Sequence, residues 1–138
     1  MPTRIIARLA VSLGACTIFT AGPLLAHHSF TAEFDATKPV TLKGTITKML
    51  WTNPHGWLYI DVKGADGKVV NWALEFGSPN ALYKKGWRPK DLPVGVLVTV
   101  DGWLAKDGSP TANAGKVVLA DGRQLFAGSS SGASGGDR

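Results

Sequence analysis

The chain has 138 residues, with 15 Lys and Arg against 10 Asp and Glu, so its formal net charge at pH 7 is +5. This length suits one compact domain, and a single cysteine, Cys16, excludes a disulfide within the chain and a cluster of thiolate ligands. Loss of a leader carrying Arg4 and Arg8 reduces the charge from +5 to +3, which is too small and too dispersed to favour nucleic-acid binding.

Residues 1–26 are typical of a secretory signal peptide. Two arginines precede an apolar stretch, Gly22-Pro23 interrupts it, and Ala26 is a small residue suited to cleavage. The stretch is too short and too interrupted to predict a membrane span. A lipoprotein cleavage site at Cys16 is the alternative, although an apolar segment instead of a polar tether would follow it. We expect a periplasmic or secreted protein that begins at His27.

The first half of the mature chain predicts three strands. A polar extended segment at 27–39 comes first. The strands follow at 40–51, 57–62 and 69–76, separated by turns at Asn53-Pro54-His55-Gly56 and Asp66-Gly67. Gly44 predicts a bulge or sharp coil in the first strand, as barrels need, and alternation places Trp72 in the core.

A short helix follows, with Ser78 as its N-cap, Pro79 at its first position and Gly86 at its end. Trp87 is expected to cap the helix end. A Pro-rich loop leads to strands at 96–105, 116–119 and 123–127, and residues 128–138 form a Gly/Ser-rich tail that we expect to be disordered.

This element order predicts an all-β fold, a small five- to six-stranded OB-like barrel with one short helix between strands three and four. A β-sandwich is the alternative, but sandwiches of this length usually have more strands and no interposed helix. The domain organisation is therefore a signal peptide at 1–26, one OB-like domain at 27–127 and the tail.

Several spaced motifs resemble a family of small exported bacterial proteins of unknown function. They include His27-His28-Ser29-Phe30, Phe34-Asp35, Lys38-Pro39-Val40, Leu42-Lys43-Gly44, Trp51-Thr52-Asn53-Pro54-His55, Trp72-Ala73-Leu74-Glu75, Ser78-Pro79-Asn80, Gly86-Trp87 and Asp121-Gly122-Arg123. The resemblance extends over residues 27–127. It implies an exported single-domain protein and no established activity.

The histidines predict a copper site. An N-terminal His27 can chelate Cu(II) through its amine and ring Nδ1, and His55 can supply a third nitrogen, as in a histidine brace. His28, Glu33 or Asp35 could add a further ligand. The alternative is that the terminal histidines have no function and His55 only orients its turn.

Aromatic residues predict a second kind of site. Trp57, Tyr59 and Trp103 alternate with core positions, and Trp51 leaves its strand with the same parity. OB-type barrels bind ligands on such faces, and outside the cytoplasm a glycan or a periplasmic protein is the expected partner. The alternative is that these rings only pack the ends of a small domain.

Carboxylates offer a weaker signal. Glu75 and Asp61 lie on the non-core face of adjacent strands, where a hydrolase-like pair is conceivable but ordinary solvated charges are the simpler explanation. We therefore expect a monomeric, non-enzymatic binding or accessory protein. Cu(II) capture for buffering or transfer is the first hypothesis, a metal-free aromatic module the second and a copper oxygenase the third.

Overall fold

The structure, a computed structural model, describes residues 30–128. The elements in chain order are α1 (Phe30–Glu33), β1 (Phe34–Leu50), β2 (Trp57–Lys63), β3 (Val69–Glu75), α2 (Pro79–Lys84), a 3₁₀ helix (Pro89–Asp91), β4 (Leu97–Ala105), β5 (Thr111–Val118) and β6 (Gln124–Phe126). None of the helices within this range has the length and apolar character needed to cross a bilayer.

The strands form one six-stranded sheet that closes on itself. Its order is β3-β2-β1-β4-β5-β6, and a parallel pairing of β3 with β5 joins β1, β2, β3, β5 and β4 into a ring of five. The other pairings are antiparallel. Because α2 lies between β3 and β4 in the chain, the predicted OB-like barrel is confirmed.

The barrel interior is filled by the alternating apolar residues of the strands. Fully buried examples are Ile46, Leu58, Ile60, Leu74, Val98, Val100 and Val117. Trp72 packs against this core, as its parity predicts. Trp87 follows the end of α2, and its backbone N–H donates to the Leu82 carbonyl at 3.0 Å. Its ring is also part of the core: it is 0% exposed, its centroid lies 5.8 Å from that of Phe76, and Nε1 donates to the Phe126 carbonyl at 3.0 Å.

The predicted helix between β3 and β4 has the expected ends. The Ser78 hydroxyl accepts a hydrogen bond from the Ala81 N–H at 3.3 Å, and Pro79 occupies the first helical position. Gly86 follows the helix with φ of +96°, a conformation that glycine adopts without a Cβ penalty.

The first strand differs from its prediction in two ways. It begins at Phe34 instead of residue 40, after the four-residue helix α1, so the segment before Pro39 is not merely an extended arm. The register shift lies between Ile46 and Lys48, whereas Gly44 keeps its pairing with Val98. A Cβ on Gly44 would lie 2.6 Å from the Asp61 carbonyl oxygen, so close approach of β2 explains this glycine.

The fifth strand also begins earlier than predicted, at Thr111 instead of residue 116. Its first half is Thr-Ala-Asn-Ala-Gly, a composition with low strand propensity. β4 approaches this part of β5 closely: a Cβ on Gly115 would lie 3.2 Å from the Trp103 ring and 3.3 Å from the Asp101 carbonyl oxygen.

Candidate functional site

Four residues on neighbouring strands form a row across the outer face of the barrel. Trp57 pairs with Glu75, Glu75 pairs with Asn113, and Asn113 pairs with Trp103. Directly paired residues share a face of a sheet. The row faces outward because the next residues along the strands, including Leu58, Leu74 and Ala112, are buried in the core. We call these four residues the outer row.

The centre of the outer row is buried although it points away from the core. Glu75 is 4% exposed and Asn113 is 1% exposed. Within the described chain, the side-chain oxygen of Asn113 accepts no hydrogen bond. The expectation that Glu75 is a solvated strand charge is therefore wrong, since its side chain is buried.

Helix α1 lies at the β4 end of the outer row. The Phe30 ring meets the Trp103 ring edge-on at 5.7 Å and the Phe34 ring at 5.7 Å. Lys106, just after β4, donates from its backbone N–H to the Glu33 carbonyl at 2.9 Å and from Nζ to the Thr31 carbonyl at 2.5 Å. These contacts hold α1 against β4.

His55 lies at the other side, next to Glu75. The Gly56 N–H donates to the Gly77 carbonyl at 3.0 Å, and the Phe76 N–H donates to the Gly56 carbonyl at 2.8 Å. These two bonds hold the turn beside the end of β3. As a result, His55 Nδ1 pairs with Glu75 Oε1, with 26% and 5% of the two side chains exposed.

The pairing of His55 with a buried carboxylate has a chemical consequence. When Nδ1–H donates to a carboxylate, the neutral imidazole carries its lone pair on Nε2, and the ring is held in one orientation. The sequence gives both residue types but no signal that joins them, because they are separated by the whole of β2 and β3.

The hydrolase-like pairing of Glu75 with Asp61 is not formed. Glu75 pairs in register with Trp57, four residues before Asp61, which corresponds to about 13 Å along a strand. Asp61 instead accepts a hydrogen bond from Asn71 Nδ2 at 2.8 Å.

The other predicted ligands are distributed as follows. His27 and His28 lie outside the described residues. Glu33 ends α1. Asp35 accepts hydrogen bonds from the Thr37 hydroxyl at 2.7 Å and the Thr37 N–H at 3.0 Å, and these bonds lower the pKa of Asp35. Within residues 30–128, no group of three or more His, Cys, Asp or Glu side chains is placed to hold a metal.

The four predicted ligand-binding aromatics do not share one contact partner. Trp51 stacks on Tyr83 at 5.8 Å and packs against the core, and Tyr59 lies under Lys48 Nζ at 5.6 Å. Trp57 lines a pocket of about 360 Å³ together with residues of α1 and of the β4–β5 connection. Trp103 lines a separate groove of about 490 Å³.

Comparison with known proteins gives one match. The model of a family of unknown function, DUF6152, matches residues 16–114. No curated protein and no solved structure matches the chain. The expected membership of an uncharacterised family is confirmed, while the motifs proposed as its marks stay a prediction. Since the match includes well over half of the 138 residues, the chain belongs to the DUF6152 family of unknown function.

Proposed function

We propose that this protein is an exported, periplasmic accessory protein that captures Cu(II) and buffers or transfers it. The proposed ligands are the amine and ring Nδ1 of a mature N-terminal His27 and the ring of His55. The observation that carries the proposal is the contact between His55 and the buried Glu75 carboxylate. A carboxylate behind an imidazole is the arrangement by which proteins orient metal-ligating histidines.

The position of α1 supports a ligand from the N-terminus. Phe30 contacts Trp103, and Trp103 is two strand spacings, about 10 Å, from Glu75 along the outer row. The three Cα-to-Cα steps from residue 27 to residue 30 can span at most about 11 Å. The proposal requires this segment to run from Phe30 along the outer row toward the His55 ring.

The donor types favour copper over other divalent metals. An amine and two imidazoles are nitrogen ligands, which suit the tetragonal geometry of Cu(II), and copper stands at the top of the affinity series. A free α-amine carries a proton at neutral pH, so Cu(II) binding displaces that proton and the affinity should rise with pH.

The test is a Cu(II) competition titration read by EPR, on protein whose mass confirms His27 as the first residue. We expect one-to-one binding with a nitrogen-rich signal, and weaker binding by His55→Ala. The matched control carries an acetylated His27 amine, which removes one of the three proposed nitrogens and should abolish the tight one-to-one signal. Weak binding that is indifferent to the acetylation would contradict the proposal.

A second candidate function is a metal-free module that binds a glycan or a partner protein. The pocket beside Trp57 favours it, since the indole ring is combined there with Asp107, Ser109 and Thr111, a mixture suited to sugar hydroxyls. Such binding would be unaffected by acetylation of the His27 amine. The acetylated control therefore separates the two candidates.

A further inference from the structure

We propose that Glu75 is a positioning residue that makes Nε2 of His55 the metal-ligating nitrogen. This inference rests on the proposed copper site and assigns a role to a residue that would not itself touch the metal. Glu75 Oε1 contacts His55 Nδ1 directly, so that nitrogen is committed to a hydrogen bond. Only Nε2 of the neutral ring then presents a lone pair to a metal.

The burial of Glu75 favours a hydrogen bond from the His55 N–H over hydration of the carboxylate by water. Glu75 is the last residue of β3, and its register partners Trp57 and Asn113 flank it in the outer row. With only 5% of its side chain exposed, the carboxylate cannot obtain full hydration from bulk water. A buried carboxylate requires donors, so the pairing with the imidazole N–H also stabilises Glu75 itself.

The backbone keeps the two residues at a constant separation. The hydrogen bonds from Gly56 to Gly77 and from Phe76 to Gly56 attach the residue after His55 to the residues after Glu75. The orientation of the His55 ring, and with it the direction of the Nε2 lone pair, is therefore held in the metal-free protein. Loss of such a partner typically lowers metal affinity by about 10- to 100-fold.

The first test needs no copper. The chain has three histidines, so long-range ¹⁵N–¹H correlation spectra of histidine-labelled protein contain the signals of only three rings. The signals that disappear in His55→Ala are those of His55. At about pH 8, we expect His55 to show a protonated Nδ1 and an unprotonated Nε2. Glu75→Gln, which keeps an acceptor oxygen, should preserve this tautomer, whereas Glu75→Leu should shift it toward protonated Nε2.

Asp61→Asn is the matched control, since it changes an acidic side chain on the neighbouring strand that hydrogen-bonds to Asn71 instead of a histidine. It should leave the His55 spectrum unchanged. A wild-type His55 protonated on Nε2 or on both nitrogens, or a spectrum unaltered by Glu75→Leu, would overturn the inference. If Glu75→Leu does not fold, the wild-type tautomer alone decides.

The second test measures the affinity for Cu(II). Glu75→Leu should raise Kd by about 10- to 100-fold and alter the EPR parameters, and Glu75→Gln should restore most of the affinity. In a His55→Ala background, Glu75→Leu should have no further effect, because Glu75 acts through the ring. Equal affinities for wild type and Glu75→Leu would refute the role. Failure of the wild type to bind copper refutes the proposed function instead, and leaves the tautomer result unaffected.

Discussion

At the scale of single residues, Gly102 permits the contact between β4 and β5 beneath the outer row. A Cβ added there would lie 2.2 Å from the Asn113 carbonyl oxygen, and that oxygen belongs to the backbone and cannot rotate away. We expect Gly102→Ala to lower the free energy of unfolding by about 3 kcal/mol, measured by urea denaturation.

Gly64→Ala is the control for this substitution. Its added Cβ would meet the Asp66 side-chain oxygen at 2.9 Å, and a flexible carboxylate can move. The loss at Gly64 should therefore be well below that at Gly102. Equal losses would show that close approach of the two strands does not explain Gly102.

The local sequence predicts the roles of some residues in the fold and the site, and not of others. The Ser78 cap is readable from sequence because capping involves only neighbouring residues. The outward direction of Glu75 is also readable, from strand alternation. Its burial and its pairing with His55 are not, because they depend on a turn folding back along β3.

At the scale of elements, α1 contacts β4 through the Phe30–Trp103 ring pair and accepts two hydrogen bonds from Lys106. An edge-to-face ring pair is worth about 0.5–1.5 kcal/mol beyond its buried area. We expect Phe30→Ala to increase hydrogen exchange at the Lys106 amide, which donates to Glu33, while lowering overall stability by only about 1–2 kcal/mol. Exchange followed by mass spectrometry measures both.

Tyr83→Ala is the matched variant, because Tyr83 is a half-exposed ring on α2 that stacks on Trp51 instead of on a residue of α1. It should leave exchange at Lys106 unchanged. Unaltered exchange in Phe30→Ala itself would mean that the ring contact does not hold the helix.

Among the elements, strands with strict alternation were the most predictable. β2 and β3 lie within one residue of their expected bounds because each buries one face. The start of β5 was not predicted because its small residues have low strand propensity. Their size is explained by close packing against β4, which is not visible in the local sequence. Helix α1 has four residues and depends on Trp103 and Lys106, which lie far along the chain.

At the scale of the whole molecule, one buried carboxylate links distant segments and makes stability depend on pH. Burial opposes ionisation of Asp91, but hydrogen bonds from the Arg123 side chain at 2.9 Å and the Arg88 N–H at 2.8 Å outweigh it, so the pKa of Asp91 lies below its ordinary 3.8. The ionised form is thus favoured in the folded state. Its contribution is full at neutral pH and is lost as pH falls through the lowered pKa.

Asp91→Asn should therefore cost about 1–3 kcal/mol near pH 7, with a smaller loss at an acid pH below the lowered pKa, where wild-type Asp91 is protonated. Urea denaturation of both proteins at several pH values measures the difference. A loss of equal size at both pH values would show that ionisation of Asp91 contributes nothing.

The order of elements carried most of the information about the whole fold. Three strands, a helix and further strands are enough to predict the ring, because few arrangements of so short a chain bury every strand face. Family membership adds the expectation that relatives share this barrel, without supplying an activity.

The parallel pairing that closes the ring divides the proposed site into two halves. That seam has three register pairs, against seven between β2 and β3, and Glu75–Asn113 is one of the three. On one side of this pairing, Gly56 holds His55 next to β3. On the other side, Phe30 and Lys106 hold α1 against β4. The free energy of local opening is expected to be lowest at the strand pairing with the fewest register pairs. Local opening of this seam would separate α1 from His55 while the strands on each side of the seam stay paired.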